Sequence, residues 1–295
     1  MYESFFGLRE RPFELTPNPR FLFMTPHHRE ALTTLEYGLT GRAGIAILIG
    51  EAGTGKTTLV HAALKSQSGK QSLAVYLNNP SLTRGEFIEF LAAGFGLSVD
   101  AARSKTRCLC ELTEILAKRH EAKQMSALII DEAQCLPDVL LEEIRLLANI
   151  ESASEKLLSI LLVGQPELAD RLNRPSLRQL KQRIGMRCSL RPLEYTETVS
   201  YVAARVRIAG GRVDQLFSPE AIAIAHERAH GIPRTVSVIC DNALVTAFAL
   251  DRKPVDAAVV LEVCRDFDLA APAGDDALSP EELLNTALAP EGASQ

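Results

Sequence analysis

Tryptophan is absent from this 295-residue chain, aromatic side chains make up only 5% of it, and no two of its six cysteines form a CxxC pair. A chain this long buries an adequate core without metal or disulfide staples. Cys108, Cys110, Cys135, Cys188, Cys240 and Cys264 therefore read as reduced, mostly packed thiols of a cytoplasmic protein, and no zinc site is expected. Long apolar runs are missing too. The most apolar late stretch, SVICDNALVTAFAL, is broken by Asp241 and Asn242, and it falls short of the ~20 residues a membrane span needs. The opening MYESFFGLRERPF carries charge too early for a secretory leader, so none is expected.

Hydrophobic residues at 46% and charged residues at 23% are ordinary for a globular protein. The formal charge of -5 is unevenly placed: residues 270–295 hold Asp275, Asp276, Glu281, Glu282 and Glu291 and no Lys or Arg, which leaves the rest of the chain neutral. An acidic total therefore does not exclude a polyanionic partner. The stretch LRQLKQRIGMRCSLRPL is the opposite case, with Arg178, Lys181, Arg183, Arg187 and Arg191 and no acid.

Between Ile45 and Leu190 short runs rich in Ile, Leu and Val alternate with helix-period segments. The runs Ile45 to Ile49, Leu73 to Leu77, Ala127 to Ile130, Ile160 to Val163 and Met186 to Leu190 predict a five-stranded parallel sheet covered on both faces, an α/β core. After Pro192 helical signals take over. Thr196 starts one helix, Ser218-Pro219 caps another and Pro233 opens a third, whose Val236, Ile239, Cys240, Ala243, Leu244 and Ala247 form a core-facing stripe. The tail from residue 270 reads as flexible, with one short helix capped by Ser279.

The string ILIGEAGTGKTTLV places Gly50-Glu51-Ala52-Gly53-Thr54-Gly55-Lys56-Thr57-Thr58 directly after an apolar strand and before a helix-favouring segment. This is GxxxxGK[ST] in the strand-to-helix setting that a P-loop requires. Its glycines let backbone N–H groups curl around phosphate, and the helix N-terminus adds partial positive charge. Lys56 would reach the β and γ phosphates of a bound nucleotide, and Thr57 would offer its hydroxyl to Mg2+. Downstream, SALIIDEAQCL ends a strand in Asp131-Glu132, at the carboxyl edge where open α/β sheets bind ligands. Asp131 would hold the metal through water, and Glu132 would deprotonate the attacking water.

Four stretches together resemble the AAA+ ATPases, and within them the ExeA (GspA) family of bacterial ATPases with its TnsC-like relatives. They are YESFFGLRERPFELTPNPRFLF with HREALTTLEYGL, GEAGTGKTT, LIIDEAQ, and LLVGQPELADRLNRPSLRQLKQRI with HGIPR later. The resemblance implies a P-loop NTPase with a C-terminal helical lid. Residues 1–40 would be an adenine-side segment, 41–193 the nucleotide-binding domain, 194–269 the lid and 270–295 an acidic tail. By the same resemblance Gln165 takes the sensor-1 position that helps place the water, and Asn78 or Asn79 that of a polar switch for the glutamate. Arg234 in GIPR takes the sensor-2 position, and Phe5, Phe6, Pro12, Phe13 and Phe21 supply flat surface that lies over adenine or packs a core. Arg183, with Arg178 as the alternative, matches the arginine finger that enters a neighbouring subunit's site, which implies a ring or helical homo-oligomer.

Two functions follow from this resemblance. One is an ATP-hydrolysing motor or assembly regulator of an envelope system; here the soluble tail leads to the expectation of a separate membrane partner. The other is a transposition regulator that binds duplex DNA, with Arg103, Lys105, Arg107, Lys118, Arg119 and Lys123 as added positive surface. In that reading the acidic tail is a peptide that docks a protein partner. A nucleotide-gated scaffold with little turnover fits less well, because the chain carries its own base in Glu132.

Overall fold

Five apolar segments form one sheet: Ile45–Gly50 (β1), Leu73–Leu77 (β2), Ser126–Ile130 (β3), Ser159–Gly164 (β4) and Ile184–Leu190 (β5). The strands run in the order β2-β3-β4-β1-β5, with every neighbouring pair parallel. The computed structural model describes residues 1–14, 19–21, 23–42, 44–67, 72–78, 81–152 and 155–269. The expected tail helix at Ser279 lies outside the described residues.

β1, β3 and β4 are buried along their whole length, as continuous apolar runs between two helical layers should be. β5 departs from that expectation. It is an edge strand with alternating exposure, so Gly185, Arg187 and Ser189 face outward while Ile184, Met186 and Cys188 are half-buried. Only one of its faces is covered, and period-two alternation is what a half-buried strand shows.

The chain divides into two compact units, one of Pro26–Glu51 with Lys56–Leu190 and the other of Met1–Thr25, Ala52–Gly55 and the described residues from Arg191 onward. In the first, the sheet packs with helices Pro26–Tyr37 (α2), Lys56–Gln67 (α3), Arg84–Phe95 (α4), Val99–Arg103 (α5), Lys105–Glu121 (α6), Asp138–Leu147 (α7), Pro166–Leu172 (α8) and Arg178–Lys181 (α9). Cys108, Leu112 and Leu116 recur every four residues on α6 and are fully buried with Phe87 and Leu91 of α4. Thr83 and Glu86 close a reciprocal capping box at the start of α4.

In the second unit the helices are Tyr2–Phe6 (α1), Tyr195–Ile208 (α10), Val213–Leu216 (α11), Pro219–Ala229 (α12), Pro233–Ala249 (α13) and Ala257–Asp266 (α14). α10 begins one residue before the expected Thr196, because Glu194 and Glu197 form its capping box. Ser218 caps α12 through the Ala221 N–H, and Pro233 is the first residue of α13.

The N-terminal aromatics belong to this second core. Phe13 is fully buried, its ring centroid 5.9 Å from that of Phe217, and Tyr2 and Phe6 are buried with the α13 stripe. The Tyr2 hydroxyl donates to Asp241, and Arg205 lies over Phe21 while its Nε donates to the Pro12 carbonyl at 2.6 Å. Phe6, Phe13 and Phe21 therefore pack a core and do not lie open as flat surface.

Gly231, between α12 and α13, shows why HGIPR needs glycine there. Its φ is +69°, in the left-handed region, and an added Cβ would stand 2.2 Å from the Leu193 carbonyl oxygen. Leu193 donates its N–H back to the Gly231 carbonyl at 2.8 Å, so neither strand of chain can move away freely. Gly231→Ala is expected to cost about 2 kcal/mol or more, read as a lower unfolding midpoint in a thermal or denaturant melt.

Candidate active site

The order β3-β4-β1 brings three carboxyl edges side by side, so the loop after Gly50, Asp131-Glu132 after β3 and Gln165 after β4 converge. Gly53 and Gly55 of the loop adopt φ of +83° and +97°. Those left-handed turns are open to glycine at no steric cost. A Cβ on Gly53 would meet the Cβ of Arg234 at 2.8 Å, and the Arg234 N–H donates to the Gly53 carbonyl at 3.3 Å. The guanidinium of Arg234 remains exposed.

Lys56 opens α3 and is 5% exposed. Its ammonium donates to the carbonyls of Gly50 at 2.8 Å and Glu51 at 3.0 Å. Burial lowers its pKa, while the carboxylates of Glu132, Asp131, Glu51 and Glu167 pull it back up. A buried cation already surrounded by acids is one that a polyphosphate would stabilise strongly.

Asp131 is 5% exposed and has both carboxylate oxygens occupied. Oδ2 accepts from the Thr57 hydroxyl and from the Tyr76 hydroxyl, each at 2.8 Å, and Oδ1 accepts from the Glu132 N–H at 2.9 Å. Burial and the charge of Asp131 push the Tyr76 phenol above its ordinary range, so it stays a donor at neutral pH. Its ring stacks on His61, with centroids 5.3 Å apart and planes 8° from parallel. Thr57 and Asp131 are hard oxygen donors held within one hydrogen bond of each other, a set that suits Mg2+, which takes one or two protein oxygens and otherwise water and phosphate.

Glu132 has φ of +52°, an uncommon conformation for a residue with a Cβ. Its Oε2 accepts from Gln134 Nε2 at 2.5 Å and from Gln165 Nε2 at 3.2 Å. Asn78 is exposed, and among the described residues it makes no hydrogen bond to Glu132; Asn79 lies outside the described residues. Sequence reasoning missed two residues here, Tyr76 and Gln134. A tyrosine hydroxyl in an apolar strand needs a partner once it is partly covered, and that need was the one available signal for Tyr76. For Gln134 it was only its place two residues after Glu132.

Arg183 sits elsewhere. β5 starts right after it, paired at Ile184 with Ile45, whereas the P-loop leaves β1 at Gly50, paired with Leu190. Arg183 is thus at the amino edge of the sheet, and seven strand residues separate it from the carboxyl edge, roughly 20 Å. Arg174, Arg178, Arg183 and Arg187 are exposed, and none has an ion pair among the described residues. The added positive surface is smaller than the sequence implies. Lys105 pairs with the buried Glu143, Arg107 lies by Asp100 and Glu111, and Arg119 donates to Ser126 and Met125, leaving Arg103, Lys118 and Lys123. Cys108, Cys240 and Cys264 are buried and Cys188 is half-buried, as mostly packed thiols should be, while Cys110 and Cys135 are exposed. No described helix is long and apolar enough to cross a membrane.

Comparison with known proteins agrees with this geometry. A family model described as AAA domain matches residues 39–172. General secretion pathway protein A of Aeromonas hydrophila is 41% identical over 249 residues, which cover 84% of this chain and 45% of that protein. The chain therefore spans less than half the length of this relative. Among solved structures, Cdc6p from Pyrobaculum aerophilum aligns with a TM-score of 0.65 at 19% identity, covering 86% of this chain and 70% of that one. The Aeropyrum pernix ORC2 protein aligns at 0.62 and 18% identity, covering 92% and 75%. Drosophila ORC bound to DNA aligns at 0.64 and 19%, covering 87% and 64%. At such identities these three speak to the fold.

Proposed function

The chain belongs to the AAA+ ATPases of the general secretion pathway protein A type, and from that premise we propose that it hydrolyses ATP to ADP and phosphate as an oligomeric motor or assembly regulator. The observation that carries the reading is the Thr57–Asp131 pair beside the P-loop, with Glu132 next in the chain. Lys56 leaves its two carbonyl partners for the β and γ phosphates, and the N–H groups of residues 50–57 cradle them. Thr57 and, through water, Asp131 would hold Mg2+, which would supply charge neutralisation for the phosphate oxygens. Tyr76 holds the carboxylate of Asp131 in place. Glu132 takes a proton from water as it attacks, and the Gln165 amide helps orient that water. Arg234, anchored by its backbone to Gly53, contributes its exposed guanidinium to the γ phosphate as part of a lid formed by residues 194–269. Arg183 acts in the site of the next subunit of a ring or filament.

The process served is envelope assembly or secretion, by likeness to the Aeromonas protein, with a protein partner that the acidic tail would dock. The test is ATP turnover measured across protein concentration with and without EDTA. Turnover is expected to rise more steeply than linearly as oligomers form and to vanish with the metal; a metal-independent rate would overturn the reading.

A second reading, duplex DNA binding as in a TnsC-like regulator, is favoured by one observation: Arg174, Arg178 and Arg187, near Arg183 in the chain, are exposed and have no ion pair among the described residues. Binding to phosphate weakens steeply with salt. If duplex DNA neither binds at low ionic strength nor changes ATP turnover, this second reading is excluded.

A further inference from the structure

The two oxygens of the Glu132 carboxylate are used unequally. Oε2 accepts from both Gln134 Nε2 and Gln165 Nε2, whereas Oε1 has no hydrogen-bond partner among the described residues. A glutamate's terminal torsion is broad and roughly two-fold, so its two oxygens exchange unless something holds them apart. The residue that holds this one is itself held. The Gln134 side-chain oxygen accepts the Gln165 backbone N–H at 3.1 Å, and its backbone carbonyl accepts from Arg171 Nη1 at 2.5 Å. Arg171 in turn pairs with Asp138 at the start of α7.

This network also decides which way the Gln134 amide points. A backbone N–H can only donate, so the atom of Gln134 that meets it must be the oxygen, and the NH2 group is left facing Glu132. The chain makes room for the contact at Gly164, where an added Cβ would stand 2.9 Å from the Gln134 side-chain oxygen.

We infer that Gln134 is a positioning residue that occupies Oε2 of Glu132 and so reserves Oε1 as the atom that takes the proton from water. The inference rests on the reading of Glu132 as the base. Gln134 acts through Glu132, to which its Nε2 donates.

Gln134→Met keeps the length of the side chain and removes the amide; Gln134→Asn keeps an amide too short to reach and covers the case in which the Met protein fails to fold. The full chain carrying each change is compared with wild type, with Glu132→Gln and with the Glu132→Gln, Gln134→Met double variant. Multiple-turnover ATP hydrolysis, single-turnover hydrolysis and affinity for a non-hydrolysable ATP analogue are measured. Loss of one hydrogen bond to a charged group predicts a kcat lower by about ten- to a hundred-fold, with analogue affinity within about two-fold of wild type. In the double variant the Gln134 change is expected to add nothing to the loss from Glu132→Gln, since neighbours acting through one group are non-additive. Wild-type kcat in both Gln134 variants, an additive further loss in the double variant, or an equal fall in analogue affinity would each overturn the inference. A Glu132→Gln protein with full turnover would instead remove the base reading, and that arm is scored by itself.

Discussion

Arg183→Ala is expected to leave ATP affinity intact and to lower turnover by about 10³-fold or more, the range measured when an arginine finger is removed. On the proposed finger reading, the loss is a property of the oligomer. At the amino edge of the sheet, a strand's length from the carboxyl edge that carries Lys56 and Asp131, the Arg183 side chain does not reach the phosphates bound by its own subunit. Arg183 is also exposed and forms no ion pair among the described residues, so alanine there removes only its field on the Glu151 carboxylate, and the fold should melt close to wild type. Mixing separates a finger acting between subunits from a local defect. Arg183→Ala subunits keep Glu132, and Glu132→Gln subunits keep Arg183, so each inactive protein supplies what the other lacks. ATP hydrolysis should reappear when the two are combined at oligomer-forming concentration. Full turnover by Arg183→Ala alone would transfer the role to Arg178, the other exposed candidate on the same segment.

Glu132→Gln carries the second large effect, a fall in single-turnover hydrolysis of about 10²- to 10⁴-fold with nucleotide binding retained. The amide has the shape of the carboxylate and no basic oxygen. Asp131 keeps its hydrogen bonds from Thr57, Tyr76 and the residue-132 N–H, so the oxygens proposed to hold Mg2+ are unchanged. The variant should therefore accumulate in its ATP-bound form, visible as a stoichiometric nucleotide complex in which ATP persists over many wild-type turnovers. A normal hydrolysis rate would show that another group accepts the proton.

What was legible in the chain was whatever depends on near neighbours. The five apolar runs predicted the strands to within two residues, because strands inside the sheet must be apolar along their length and the edge strand β5 keeps one apolar face. Ser218 and Pro233 marked helix starts for equally local reasons, an orphan N–H to cap and a φ already suited to the helix. β5 was legible as a strand but not as an edge, since its order in the sheet depends on the partner it finds, β1, far earlier in the chain. The N-terminal aromatics could have covered a ligand or packed a core; burial against α13 and Phe217 decided for the core.

The P-loop motif and the acid pair of Asp131 and Glu132 could be read from short stretches alone, because backbone freedom, the helix N-terminus and the strand end are properties of a few consecutive residues. It took the assembled sheet to show that the Tyr76 hydroxyl donates to Asp131, that Gln134 and Gln165 share one oxygen of Glu132, and that Arg183 stands at the edge opposite the P-loop. Tyr76 lies 55 residues from Asp131, and Gln165 lies 33 from Glu132. Hydrogen bonds over such separations exist only once β2, β3, β4 and β1 lie side by side, and the order of strands in a sheet is set by packing of the whole domain.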